Sequence, residues 1–169
     1  KKRLLTLAMT GSGLRAEAAV ILLARNLATR SEEQLLERLL PADEKASLKE
    51  KAVRLTLALR QNPARAGELI RSFIAAHGIS ADSPEPIMVG EILAQTGQHR
   101  ALLELIPEAT ALKNHSLCRL RLGAHSVTGD VAATDRLLTN PAIPLPPAQV
   151  AIFQASAAQA AGRTNEVEQ

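Results

Sequence analysis

With 169 residues and 46% apolar side chains, the chain can build one ordinary domain or a short repeat array around a sizeable core. Phe73 and Phe153 are its only aromatic residues, and Ala and Leu dominate, so the composition argues against sheets and for an all-α fold. The single cysteine, Cys118, excludes an intramolecular disulfide framework, and the apolar run Ala18–Ala24 falls far short of the ~20 residues a membrane span needs.

Residues 1–13 read as a basic lead-in ending in the joint Thr10-Gly11-Ser12-Gly13. Lys1-Lys2-Arg3 imitates the start of a signal peptide, but Leu4–Met9 is too short, and interrupted by Thr6, to serve as its apolar segment. A first helix is expected from Leu14 to Thr29. Ser31 is the expected N-cap of its partner, with Glu32 and Glu33 at the positive helix end and Leu35, Leu36, Leu39 and Leu40 on the apolar face. Pro41 stops it. Asp43 is the expected cap of the next helix, which runs to Gln61 through Val53, Leu55, Leu57 and Leu59. Pro63 suits the first turn of its successor, which carries Leu69, Ile70, Phe73 and Ile74 and ends at His77-Gly78.

Ile79–Pro86, rich in Ser, Asp and Pro, is the longest expected connection. Ile87–Thr96 and Gln98–Ile106 form a third pair, ended by Pro107. A helix between Leu112 and Thr128 is followed by a short one that Asp130 opens and Thr139 closes. After the stiff connector at Asn140-Pro141 and Pro144–Pro147, a helix spans Ala148–Ala161 and its mate begins at Thr164.

These helices pair around turns at Arg30-Ser31, Asn62-Pro63, Gly97-Gln98, Gly129-Asp130 and Gly162-Arg163, at intervals of 32 to 35 residues. One hairpin of this size cannot bury its own apolar face, so a run of them implies stacking. The chain resembles the tetratricopeptide repeat, which pairs two antiparallel helices over about 34 residues. In the third unit Gly90 occupies a small-residue position, flanked by Val89 and Leu93, and Gly97 makes the turn. Ala155 and Ala158 in the fifth unit, followed by Gly162–Val167, and Gly67 in the second, also match.

Leu23, Leu55 and Leu122 replace the small residue of the first helix, and Leu35, Leu102 and Thr134 that of the second. No unit keeps the aromatic positions, so an irregular superhelix is expected. The resemblance implies a right-handed α-solenoid of about four and a half hairpins over 14–169 (14–40, 43–77, 84–106, 110–139 and 147–169). Because the sequence starts at Lys1 and stops inside the fifth hairpin, it reads as a fragment of a longer protein, with ends that could pair in a dimer.

In such arrays the first helices line the concave surface. Projection from the turns puts Lys49, Arg60, Glu91, Gln95, Ser116, Arg119, Ser126 and Gln159 there. Arginine forks suit carboxylates, while Ser, Gln and Lys add adaptable hydrogen bonds. The resemblance thus implies capture of a protein segment, extended or helical, with an acidic or C-terminal carboxylate end.

His115, Cys118 and His125 could share one helix face, but no fourth ligand completes a zinc site, and Arg119 and Arg121 would oppose a cation. Gly11-Ser12-Gly13 lacks the Gly-Lys-Ser/Thr ending of a phosphate loop. No catalytic group, metal or cofactor is expected.

Charge is unevenly placed, about +6 over residues 1–65 and −3 over 66–169, which favours acidic partners at the N-terminal half. Nucleic acid would have to use Lys45, Lys49, Lys51, Arg54 and Arg60, without aromatic platforms for bases. The leading expectation is a non-catalytic, cytoplasmic interaction scaffold. The alternatives are a cytoplasm-facing regulatory domain of a membrane or enzymatic protein, for which the basic start is suited, and an RNA-binding helical repeat.

Overall fold

The structure, a computed structural model, describes residues 1–10, 14–41, 45–80 and 83–160, with side chains up to Gln159. Among these residues there are eleven α-helices, one short 3-10 turn and no strand. The expected joint at Gly11–Gly13, the Asp43 cap, the middle of the Ile79–Pro86 connection and the half-hairpin after Gly162 lie outside the described residues.

In chain order the helices are α1 (Lys2–Thr10), α2 (Arg15–Ala24), α3 (Arg30–Leu39), α4 (Leu48–Gln61), α5 (Ala66–His77) and α6 (Glu85–Gln95). There follow α7 (His99–Leu105), the single turn α8 (Glu108–Ala111), α9 (His115–Thr128), α10 (Val131–Leu138) and α11 (Pro147–Ala160). The basic lead-in is therefore largely helical. Leu4, Leu5 and Ala8 recur on one side of α1, Ala8 is buried, and the helix packs against α2 and α3.

Local chemistry sets the boundaries. Thr29 accepts from the Glu32 amide while the Glu32 carboxylate takes the Thr29 N–H at 2.7 Å, and Ser47 and Glu50 repeat this reciprocal arrangement at the start of α4. Asn114 caps α9 and Asp130 caps α10 through their side-chain oxygens. Four helices end alike. Asn26, Gly78, Gly97 and Gly129 take the left-handed conformation, with φ of 49°, 58°, 76° and 73°. The next N–H then reaches back five residues, from Leu27 to Leu22, Ile79 to Ile74, Gln98 to Leu93 and Asp130 to His125, at 2.8–3.2 Å. This arrangement satisfies the last carbonyls of α2, α5, α6 and α9 and turns the chain away from the helix axis.

The first turn consequently falls earlier than Arg30-Ser31. Arg30 and Ser31 lie inside α3, and Thr29 rather than Ser31 is the cap, because Asn26 has already ended the preceding helix. In the same way α4 begins only at Leu48, under Ser47. The turn at Asn62 is of another kind, a 3-10 segment over Pro63–Arg65.

Packing joins neighbours along the chain. The first helices α2, α4, α6 and α9 lie side by side in file, α5 packs on α7, α7 on α9, and α10 between α9 and α11. This all-helical arrangement is compatible with an α-solenoid.

Most of the core is one aliphatic cluster from Ala8 to Ala124, with Leu22, Leu23, Leu57, Leu93 and Leu102 fully buried in it. A smaller cluster of Cys118, Leu122, Leu137, Leu138 and Leu145 holds the C-terminal helices together, with Phe153 against it. Gly90 sits where α6, α7 and α9 meet. A Cβ there would lie 3.1 Å from both Ile106 and Leu120, which explains a glycine inside this helix. On α3 the expected apolar face is narrower than Leu35–Leu40, because Leu36 and Leu40 are buried but Leu35 is 37% exposed.

Candidate functional groove

Several arginines are consumed in building the scaffold. Arg54 of α4 donates to the carbonyls of Glu37 (3.0 Å) and Leu40 (2.8 Å), and Arg15 donates to Leu39 at 2.8 Å. Arg121 of α9 donates in the same manner to Leu103 (3.1 Å) and Ile106 (2.5 Å) at the end of α7. Neither α3 nor α7 ends in a glycine turn, so its last carbonyls need outside donors. A cation from the next first helix supplies them and also suits the negative helix end.

Arg60 has the densest set of partners. Its guanidinium is 2.8 Å from the Glu33 carboxylate and donates to the Leu23 carbonyl (2.7 Å), the Asn26 side chain (3.1 Å) and the Thr96 carbonyl (3.4 Å). Both charged partners are largely withdrawn from water, with side chains 18% and 13% exposed. Arg60 thus ties the ends of α2 and α6 to α4, and its hydrogen-bonding capacity is turned inward.

Of the eight residues projected onto the first-helix face, five do converge. Lys49, Glu91 and Gln95 line a cavity of about 360 Å³ between α2, α4 and α6, with Val20, Ile21 and Met88 as apolar walls. Glu91, Ser116 and Arg119 line an adjacent cavity of about 310 Å³ between α6 and α9. Glu91 lines both, so the two cavities adjoin along the four stacked helices α2, α4, α6 and α9.

Lys49 is paired with Glu17 at 2.8 Å, and that hydrogen bond, more than the Coulomb attraction, holds the Glu17 carboxyl below its usual range. Glu91 and Arg119 are exposed and have no ion-pair partner among the described residues. Ser126 lies elsewhere, beside a small pocket of about 20 Å³ between α9, α10 and α11, and Gln159 is exposed on α11 outside these cavities.

The groove also uses residues that the projection omitted. Leu120, Val127 and Phe153 form its apolar lining near α9, and His99 flanks it with its Nδ1 buried and unpartnered. Val127 remains 65% exposed. Phe153 was distinctive in sequence as one of two aromatics, but its placement depends on how α11 folds back over α9 and α10, which no local pattern encodes.

His115, Cys118 and His125 do not assemble into a site. His115 Nε2 lies 3.0 Å from the Gln149 side-chain oxygen, while Cys118 is fully buried in the smaller core, where burial raises its thiol to about 11. His125 is 4% exposed and disfavours its charged form, first through burial and then through nearby Arg121. Among the described residues no three His, Cys, Asp or Glu side chains gather as metal ligands. Of the five basic residues expected to face nucleic acid, Lys49, Arg54 and Arg60 are engaged in the contacts above.

Among the described residues no helix is long and apolar enough to cross a membrane. No protein-family model matches this chain, and no curated protein or solved structure matches it either.

Proposed function

We propose that the chain is a non-catalytic protein-interaction scaffold, a right-handed tetratricopeptide-like solenoid that holds a helix or extended segment of a partner protein along α2, α4, α6 and α9. The observation that carries this reading is the pair of adjoining cavities that share Glu91, whose walls are mostly apolar and whose edge bears Glu91 and Arg119, without ion-pair partners among the described residues. Apolar walls supply affinity by excluding water, and sparse unpaired charges at the edge set register and orientation. Opposite charges on α6 and α9 suit a partner segment with a basic residue over Glu91 and an acidic one over Arg119.

Photo-crosslinking on peptides selected from a displayed library tests it. A benzophenone probe at Gln95 or Ser116 should label the selected peptides, whereas one at exposed Arg100 on α7 should not. Arg119→Glu should weaken them at least tenfold. Equal labelling from all three positions, or affinity unchanged in Arg119→Glu, would overturn the assignment.

A further inference from the structure

A second cleft lies on another side of the array and has a different character. α5 packs on α7, but α3 and α5 are not packed side by side, and the gap left over α4 is a cavity of about 330 Å³. Its floor is apolar, formed by Leu55, Leu69 and Phe73, of which Phe73 is 8% exposed. Its rim is basic. Lys51 has no ion-pair partner among the described residues, and Arg54 donates to main-chain carbonyls rather than to a carboxylate, so the rim holds two cations outside any direct ion pair. His77 closes the far side with its ring edge-on to Phe73 at 4.7 Å. Burial and the neighbouring Lys51 both push His77 toward its neutral form. Among the described residues the acidic side chain at the cleft is Glu37, whose carboxylate accepts from Gln61 at 2.8 Å and sets one negative charge against the two cations.

An apolar floor under a rim with an excess of positive charge is complementary to a bulky apolar side chain next to a carboxylate. We propose that this cleft is a second recognition site, which takes a partner peptide segment presenting an acidic residue beside a bulky apolar one. The site is independent of the groove along α2, α4, α6 and α9, so the chain can engage two segments at once. Two weak contacts on one partner would then reinforce each other through their effective concentration.

The test is fluorescence anisotropy on the full chain with two labelled peptides, one with the core Asp-Phe-Asp-Leu and the other with Asn-Phe-Asn-Leu, in identical Gly-Ser flanks at low salt. The acidic peptide should bind at least tenfold more tightly. Lys51→Glu and Ser72→Glu, at half-buried and exposed rim positions that leave the core intact, should each remove that preference. Arg100→Glu, the same charge change on α7, should leave it, and so should Arg119→Glu in the other groove. Proton NMR of His77 gives a second readout, since a bound carboxylate beside Lys51 and Arg54 should raise its titration midpoint while the amide peptide should not. Equal affinity for the two peptides, no binding of the acidic peptide up to millimolar concentration, or equal losses in Lys51→Glu and Arg100→Glu would overturn the proposal. Loss of binding in Arg119→Glu would also overturn it, by moving the peptide to the other groove.

Discussion

The junction of α2, α4 and α6 and the junction of α9, α10 and α11 solve one problem by different means. Both must fix one helix pair against the next. At the first junction a cation does so, as Arg60 gathers Glu33, Leu23, Asn26 and Thr96 from the hairpins on either side of its own. At the second the joint is a small aliphatic cluster around Leu122, bordered by a buried histidine without strong partners. A polar clamp is specific in direction but fails badly when one member is lost, whereas an aliphatic joint yields in proportion to the volume removed.

The largest effect should come from the clamp. Arg60→Ala strands the half-buried Glu33 carboxylate and removes the outside donor from two helix ends, at an expected cost of about 3–5 kcal/mol. Urea denaturation should show the fall in midpoint, and hydrogen exchange should show α2, α3 and the end of α6 opening first. The double variant Arg60→Met with Glu33→Gln should recover part of the loss, because it no longer buries an unpaired charge. A double variant no more stable than Arg60→Ala would show that the pair is not what holds this junction.

Leu122→Ala probes the other joint, with an expected cost of about 2–4 kcal/mol from lost burial and the cavity left behind. In a stacked array that loss should be confined to α9–α11, with protection of α2–α6 amides unchanged. Equal loosening at both ends would mean that the molecule is one cooperative unit and that the contrast between its joints has no thermodynamic meaning.

Much of this division was legible only in part. Turn residues were readable because their chemistry is local: Gly97 and Gly129 reverse the chain, Asp130 caps the next helix, and Pro63 opens a turn. Two signals were present and misplaced. Thr29 with Glu32 and Ser47 with Glu50 are capping-box pairs, yet Ser31 and Asp43 are equally good cap residues by type and stand closer to the expected helix starts. The spacing of Leu4, Leu5 and Ala8 already suggests the helical face of α1, but the surrounding basic residues masked it. The roles of Arg54, Arg60 and Arg121 were not legible, because most of their acceptors are main-chain carbonyls 14 to 37 residues away, which leave no mark in side-chain patterns. For the same reason helical projection puts Arg60 on the partner face. The projection identifies an exposed stripe of a helix but not the carbonyls of a neighbouring hairpin.

Acid should separate the two joints more gently. Burial holds His125 neutral in the fold, below its ordinary 6.5, although the nearby Asp130 opposes this. In the unfolded chain it takes up its proton at the ordinary value. The unfolded state therefore binds more protons as pH falls below about 6.5, and stability declines with it. Exchange of α10 and α11 amides, corrected for intrinsic rates, should rise from pH 7.5 to pH 5, and His125→Leu should flatten that slope. The carboxylates held low by hydrogen bonds, such as Glu17 by Lys49, add their loss only below about 4.5. His77 adds a slope of the same sign at α5, whereas the clamp at Arg60 should be unaffected between these values, so a slope of equal size in α2 and α3 would contradict this account.

The smallest effect is the most informative about the groove. Gly123 lies inside α9 and lines the cavity between α6 and α9, and an added Cβ would meet nothing within 4 Å. Glycine inside a helix costs about 0.5–1 kcal/mol relative to alanine. Gly123→Ala should thus raise the urea midpoint by that amount, with no repacking. Glycine at a site where alanine fits and stabilises has no explanation in packing. If that open space is where a partner segment approaches the backbone of α9, Gly123→Ala should raise stability while weakening peptides selected against the groove, and Gly123→Leu should weaken them further. A stabilised Gly123→Ala that binds such peptides as well as the parent chain would place their contacts away from α9. The cavity between α2, α4 and α6 would then remain as the binding half of the groove, at the end of the molecule that Arg60 holds rigid.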